Sequence, residues 1–259
     1  MHITEKKDSK VIELRGVSFS YPSEGGSRLQ ILKDFSLSLP ASRVSVVLGP
    51  SGCGKTTVLN LIAGLCLPES GELVVGGVSS LDADSTMPGM SLLFQEPRLL
   101  PWRNIRKNIE LVLEKKVPKA EAREKAEHYL ELVGLADFSR YYPAELSGGM
   151  RQRVSIARAF AYPADIILMD EPFQALDLGL KMSLTELFTK LWVEDSRTAV
   201  FVTHDINEAI MLGDEIFVLA GSRPTQIVED MRNPVPHKLR APASPESVEI
   251  ERRLYELLK

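Results

Sequence analysis

Nine consecutive residues, Gly49 to Thr57 (GPSGCGKTT), carry the densest chemistry in the chain. Glycines at 49, 52 and 54 let the backbone adopt unusual φ values and approach a ligand closely, so that successive N–H groups face one anion. Lys55 adds a full positive charge for the outer phosphates, and the Thr56 hydroxyl, one residue on, is placed to hold a magnesium ion. Ser51, Cys53 and Thr57 complete the loop, with Cys53 as a small filler. The spacing is G-x-x-x-x-G-K-[ST], which has meaning only between a strand and a helix. Both are present: Arg43 to Leu48 (RVSVVL) is a β-branched run suited to a buried strand, and Lys55 to Gly64 has helical spacing through Val58, Leu61 and Ile62. Such a helix aims the positive end of its dipole at the same place. The stretch reads as a phosphate-binding loop.

Other residues have chemistry that fits this loop. Asp165 to Asp170 (DIILMD) is an apolar strand ending in Asp170 and Glu171, a pair suited to magnesium ligation by one carboxylate and orientation of a water by the other. Gln95 closes the strand pattern Met90 to Phe94, where it either reaches a metal or water near the phosphates or is a solvated loop end. His204 follows the strand Ala199 to Thr203, on the sheet edge that would carry the phosphate loop; a lone His there is also commonly structural. Ser147, Gly148 and Gly149 precede the helical run Val154 to Tyr162, so a hydroxyl, free N–H groups and a dipole converge, either as a second anion site or as an ordinary cap. Tyr21, near the end of a strand, offers a face for a purine ring or simple packing.

The elements that must position these residues follow from periodicity. Val11 to Tyr21 alternates like a half-exposed strand, Ser23 to Ser27 (SEGGS) is a turn, and Leu29 to Leu39 is a second strand, which predicts an antiparallel hairpin. Another strand pattern begins at Gly71 (GELVVGG). After Gln95 the pattern changes: Ile105, Ile109, Val112 and Leu113 form one apolar stripe, and Ala122, Ala126, Tyr129, Leu130 and Val133 another. Two amphipathic helices separated by Val117-Pro118 predict an inserted helical subdomain over about residues 97–160, with Glu114 to Lys116 and Glu121 to Lys125 as solvated surface. The fold class is α/β, with a mainly parallel core sheet, an antiparallel β subdomain and that helical insert. Beyond residue 235, NPVPHKLRAPASP reads as a linker, and Ser244-Pro245 starts a short helix with Ile250, Leu254, Leu257 and Leu258 on one stripe. The main domain is thus expected over 1–235 and the tail over 236–259.

Bulk properties narrow the classes. The chain has 259 residues, of which 44% are hydrophobic, enough for one large domain with an inserted lobe. With 31 basic against 35 acidic residues the net charge is −4, which gives no electrostatic footprint for a nucleic acid. The longest apolar runs, such as Ile216 to Ala220, fall far short of the about 20 residues that cross a bilayer. Met1 to Lys10 is polar and lacks the apolar core of a signal peptide, so a cytoplasmic location is expected. Two cysteines, Cys53 and Cys66, build no disulfide framework.

Together these residues resemble the ATP-binding subunit of an ABC transporter, and the resemblance runs from about Val11 to Asp230. GPSGCGKTT matches Walker A, Gln95 the Q-loop, LSGGM the family signature, and IILMDE the Walker B strand with its glutamate. QALD, ending at Asp177, resembles the D-loop, His204 the switch histidine, and Tyr21 the A-loop aromatic. The resemblance implies that ATP and Mg2+ are the ligands. It implies that Lys55 and Thr56 bind phosphate and magnesium, that Asp170 and Gln95 help hold the metal, that Glu171 polarises the attacking water and that His204 contacts the γ-phosphate. It further implies a head-to-tail homodimer in which Ser147, Gly148, Gly149 and Asp177 complete the site of a second copy. Met150 replaces the Gln of many members, and Gln174 stands where Ser or Gly is usual.

FQEPRLLPW (Phe94 to Trp102) and VTHDINEAIMLGDEIFVL (Val202 to Leu219) resemble the importer branch that serves nitrate, sulfonates, taurine and thiamine-type precursors. This implies transmembrane permease subunits, a separate solute-binding protein and a place on the cytoplasmic face of the membrane. The alternative is a soluble ABC ATPase of the translation or DNA-repair type; the double cassettes of the first and the long coiled coils of the second are missing from this sequence. Leu99, Leu100 and Trp102, flanked by Pro97 and Pro101, cannot all be buried in a regular helix. They are expected either to dock a membrane partner or, for Trp102, to plug the base of the helical insert.

Overall fold

The computed structural model describes residues 11–23, 26–82, 84–174, 176–221, 223–241 and 244–258. The polar start Met1 to Lys10, two positions of the SEGGS turn (24 and 25) and Ala175 of QALD lie outside the described residues. The chain divides into two compact units, one built from the chain up to Pro88 together with Arg197 onward, the other from Gly89–Ser196.

In the first unit, β1 (Ile12–Pro22) and β2 (Arg28–Leu39) form the expected antiparallel hairpin, with Leu14 opposite Leu37 and Phe19 opposite Leu32. β4 (Ser70–Val75) pairs antiparallel with the other side of β1, and the short β5 (Val78–Ser79) follows, giving the order β2-β1-β4-β5. Ile12 and Leu14, then Val17 and Phe19 after a register shift, are buried at alternate positions, the pattern of a sheet with one face in the core. The second sheet of this unit centres on β3 (Val44–Leu48), all five residues of which are buried. β3 pairs in parallel with β8 (Thr198–Thr203) on one side and β9 (Glu215–Leu219) on the other, and β10 (Ile227–Arg232) adds antiparallel to β9. A strand covered on both faces favours apolar residues throughout rather than alternation, which is why AVFV is continuous and VSVVL is broken only by the small, buried Ser45. α1 (Lys55–Ile62) packs on β8, and α6 (Ile206–Leu212) on β3.

The C-terminal helix α7 (Pro245–Leu257) is capped by Ser244, whose hydroxyl accepts from Ser247 N, and it packs on α6 of its own chain with Leu254 buried. The Pro-rich stretch before it carries an anchor. The Arg240 guanidinium donates to Asp214 Oδ1 at 2.8 Å, to Val235 O and to Met211 O, while His237 Nε2 lies 2.9 Å from the same carboxylate. Val44 N donates to the other oxygen, Asp214 Oδ2, at 2.9 Å. Burial by itself would raise the Asp214 carboxyl; the hydrogen bonds from His237 and Val44 and the nearby Arg240 charge more than offset this and hold it below the usual carboxylate range.

In the second unit, β6 (Met90–Leu93) and β7 (Ile166–Asp170) pair in parallel, with Leu93 opposite Met169. α2 (Ile105–Leu113), α3 (Lys119–Leu132) and α4 (Gly148–Ala161) pack on one another through the expected stripes, burying Ile105, Ile109, Leu113, Ala122, Ala126 and Leu130. α4 also packs on β6 and on α5 (Leu178–Asp195). The acidic and basic residues of α3 face outward as expected and form pairs such as Arg123–Glu127 and Lys125–Glu121, which at such exposure contribute about 0–1 kcal/mol. Among the described residues, no helix is long and apolar enough to cross a membrane.

Candidate functional site

In the first unit, β3 delivers the chain into the Gly49–Thr57 loop and α1 takes it away. Gly52 and Gly54 have φ of 79° and 108°, in the left-handed region that favours glycine. A Cβ at Gly49 would lie 2.8 Å from Cys53 Sγ and 3.1 Å from Leu219 O, so the loop closes only with glycine there. Cys53 is fully buried, so its thiol is the small filler expected, and only its backbone faces the loop. Lys55 is 4% exposed, and its ammonium donates to Gly49 O at 2.9 Å and Pro50 O at 3.0 Å. Ser51, Gly52 and Thr56 are exposed, Gly54 is half-buried and Thr57 is buried. The loop is therefore a shallow cradle with an ammonium at its base and the N-terminus of α1 beneath it.

Two distant residues join it. Leu48 lies opposite Thr203 in the β3–β8 register, and Gly49 N donates to Thr203 O at 3.3 Å, so His204 leaves the sheet beside the start of the loop. His204 is exposed. Asp205 then caps α6, its carboxylate accepting from Asn207 N and Glu208 N. Tyr21 is 36% exposed, stands edge-on to Phe19, and its hydroxyl lies 3.5 Å from Thr57 Oγ1. Thus the aromatic and the histidine both sit at the loop.

The second unit carries the remaining residues. Because β6 and β7 are parallel and in register at Leu93 and Met169, Gln95 and the pair Asp170 and Glu171 emerge at one end of the two strands. Gln95 is exposed, and both carboxylates are half-buried. Glu171 has φ of 43°, an uncommon conformation for a non-glycine residue that concentrates at functional sites. The turn after it is tied to α4: the buried Gln152 amide donates to Pro172 O at 2.5 Å. Ser147 caps α4, its hydroxyl accepting from Met150 N at 3.3 Å, and Ser147 and Gly148 are exposed at the surface. Asp177 caps α5, accepting from Leu180 N at 3.0 Å. A Cβ at Gly149 would meet Leu180 Cδ1 at 2.8 Å, so the starts of α4 and α5 pack closely. Exposed Leu178 and Met182 lie on the first turns of α5.

The loop after Gln95 is ordered by a residue that belongs to no motif in the sequence. Asn108, fully buried on α2, accepts from Leu100 N at 2.7 Å and donates to the carbonyls of Leu100, Arg103 and Asn104. Trp102 is 71% exposed, so it does not plug the helical insert; Leu99 and Leu100 are half-buried. Arg158 donates to Pro97 O at 2.8 Å and Arg98 O at 3.0 Å, and burial lowers its pKa from the ordinary guanidinium value. It lines a cavity of about 290 Å³ with Ser91, Val112, Ser155 and Tyr162. A carbonyl-rich loop beside an apolar helix requires a buried amide, and that is the signal by which Asn108 in the stripe could have been found.

The arrangement matches known proteins over most of its length. The family model described as ABC transporter matches residues 32–174. The taurine import ATP-binding protein TauB of Roseobacter denitrificans is 40% identical over 226 residues, 86% of this chain and 82% of that protein. TauB of Chromobacterium violaceum is 42% identical over 87% of this chain and 84% of its own. An uncharacterized ABC transporter ATP-binding protein of Methanocaldococcus jannaschii is 38% identical over 98% of this chain and 94% of its own. Among solved structures, a dimeric ATP-binding cassette in a post-hydrolysis state bound to ADP and Pi superposes with a TM-score of 0.75 at 33% identity, over 87% of this chain and all of that one. The fold is that of a P-loop ATP-binding cassette, and the chain belongs to the ABC transporter family.

Proposed function

We propose that this chain hydrolyses ATP and thereby drives import of a small solute of the taurine, sulfonate or nitrate class, or a thiamine precursor, through partner membrane permeases. The observation that carries the reading is the cradle at Gly49–Thr57, where left-handed glycines, the N-terminus of α1 and the buried Lys55 meet at one place. Glycine at 49 lets the loop close against Cys53 Sγ and Leu219 O, which supports a backbone drawn tightly enough for its amides to face one anion. Tyr21 supplies a face for the adenine. Lys55 turns its ammonium from the carbonyls of Gly49 and Pro50 to the outer phosphates.

Thr56, Gln95 and Asp170 each offer an oxygen, the donor type that suits Mg2+, an ion that takes few protein ligands and completes its shell with phosphate and water. The ion would supply neutralisation of charge developing on the phosphates. Glu171 orients the attacking water and takes its proton, and His204 contacts the γ-phosphate. Ser147, Gly148, Gly149 and Asp177 complete the site of a second copy, and the exposed Leu178 and Met182 beside them give that contact an apolar centre. The exposed Trp102, with half-buried Leu99 and Leu100 and the cavity at Arg158, forms the surface for a permease element on the cytoplasmic face of the membrane. A separate solute-binding protein delivers the solute. Relatives named for taurine import, matching over more than four-fifths of both chains, support transport over the soluble alternative.

The test is to purify the tagged chain from membranes of its own host. A multi-span permease is expected to copurify, and the complex in liposomes is expected to accumulate labelled taurine, an alkyl sulfonate, nitrate or a thiamine precursor only with ATP. Recovery of the chain with ribosomes or DNA, and with no membrane protein, would overturn the reading.

A further inference from the structure

The turn after β9 touches the phosphate loop at successive points. A Cβ on Gly221 would lie 3.2 Å from Pro50 Cγ, so the two backbones run close together. The Arg223 guanidinium donates twice to Gly52 O, from Nε at 3.1 Å and Nη2 at 3.0 Å. The Thr225 hydroxyl donates to Cys53 O, and Thr225 itself is 2% exposed and tied to β2 through its N–H on Ile31 O at 2.8 Å. Two adjacent carbonyls of the loop are therefore held on its outer side. In a trans peptide the C=O of one residue and the N–H of the next point in opposite directions. Fixing Gly52 O and Cys53 O outward turns the amides of Cys53 and Gly54 inward; Cys53 N indeed faces back across the loop to Pro50 O, at 3.4 Å. Inward amides are what an anion needs.

We propose that Arg223 and Thr225 are positioning residues of the nucleotide site, holding the phosphate loop's peptide planes in the anion-accepting orientation before nucleotide arrives. The inference rests on the nucleotide-binding reading above. Preorganisation of this kind raises affinity by lowering the cost of ordering on binding. Arg223 is exposed, so a role in global stability would be small, whereas its contact reaches a loop with left-handed glycines on either side of Cys53. Arg223 also stands 171 positions from its partner, so the contact exists only because β9 lies next to β3.

The experiment titrates MgADP and MgATP into the full chain by calorimetry, with melting of the ligand-free protein and amide exchange over 50–57 as companion readouts. Arg223→Ala and Thr225→Val are each expected to loosen both nucleotides about three- to tenfold, the worth of one net hydrogen bond. Arg223→Ala is expected to melt like the parent and to show faster exchange at Cys53 and Gly54. Thr225→Ser, which keeps the hydroxyl, is expected to restore affinity, and Arg223→Lys to restore part of it. Parent-like affinity in both Arg223→Ala and Thr225→Val would overturn this inference alone. So would a loss that follows the ligand-free melting temperature and is not restored by Thr225→Ser. Failure of the parent chain to bind either nucleotide would overturn the nucleotide reading and this inference with it.

Discussion

In the proposed site, Lys55 is the side chain on which nucleotide affinity is expected to depend most directly, because it is the charge at the base of the cradle and is held by carbonyls that a phosphate can replace. A hydrogen bond to a charged group contributes about 1.5–3 kcal/mol, so Lys55→Ala is expected to weaken ATP binding by roughly one to two decades. Calorimetry on the folded variant checks this; unchanged affinity would remove the loop's assignment. The residues of the phosphate loop, Gln95, Ser147, Glu171 and His204 were legible because each sits at a fixed offset from a strand end or a helix start. Arg223 and Thr225 were not. Their partners lie in another part of the sequence, and an exposed Arg and a Thr in a turn have no spacing signature. Asp177 was read for a contact with a second copy, and the structure adds a local role, the cap of α5.

At the scale of elements, periodicity told most of the story: alternation in β1, continuous burial in β3, β7 and β8, and stripes in α2 and α3 all follow from which faces are covered. The loop from Gln95 to Asn104 did not follow, because its order comes from the Asn108 amide on a neighbouring helix rather than from its own prolines. Those hydrogen bonds fix the loop backbone to α2 with Trp102 outside. Replacing Leu100 and Trp102 with Ser is expected to leave ATP hydrolysis by the isolated chain near the parent rate, while the reconstituted transporter fails to assemble stably or import. Copurification with the permease and uptake in liposomes check it. Retained assembly and import, with a chain that melts early, would move the docking surface elsewhere.

At the scale of the molecule, the tail is tied to the first unit by one half-buried carboxylate. Asp214, just before β9, holds Arg240, 7% exposed, and His237, so the Pro-rich stretch read as a linker is tied to the start of that strand and leads into α7, which packs on α6. Removing Asp214 leaves the buried Arg240 charge uncompensated, and Asp214→Ala is expected to cost about 3 kcal/mol, the low end for a buried pair because the carboxylate is only half-buried, read from denaturant midpoints. The sign with pH follows from the depressed carboxyl. The Asp214 contribution is whole above the unfolded carboxylate value near about 4 and is lost as pH falls through the lower folded value, so the variant should lack this part of the acid limb. Parent-like stability in Asp214→Ala at neutral pH would show that the anchor lies in the apolar contacts of α7.

Glu171, set apart by its backbone conformation, is the residue we propose as the base of ATP hydrolysis. The most direct measurement is the turnover of Mg-ATP by Glu171→Gln beside its equilibrium affinity for the same ligand. The amide keeps the shape of the carboxylate but not its basicity. The account predicts parent-like ATP binding and a turnover lower by about 10²–10⁴, with the unhydrolysed nucleotide retained in a dimer that Ser147→Arg prevents. Turnover at the parent rate with unchanged binding would contradict it.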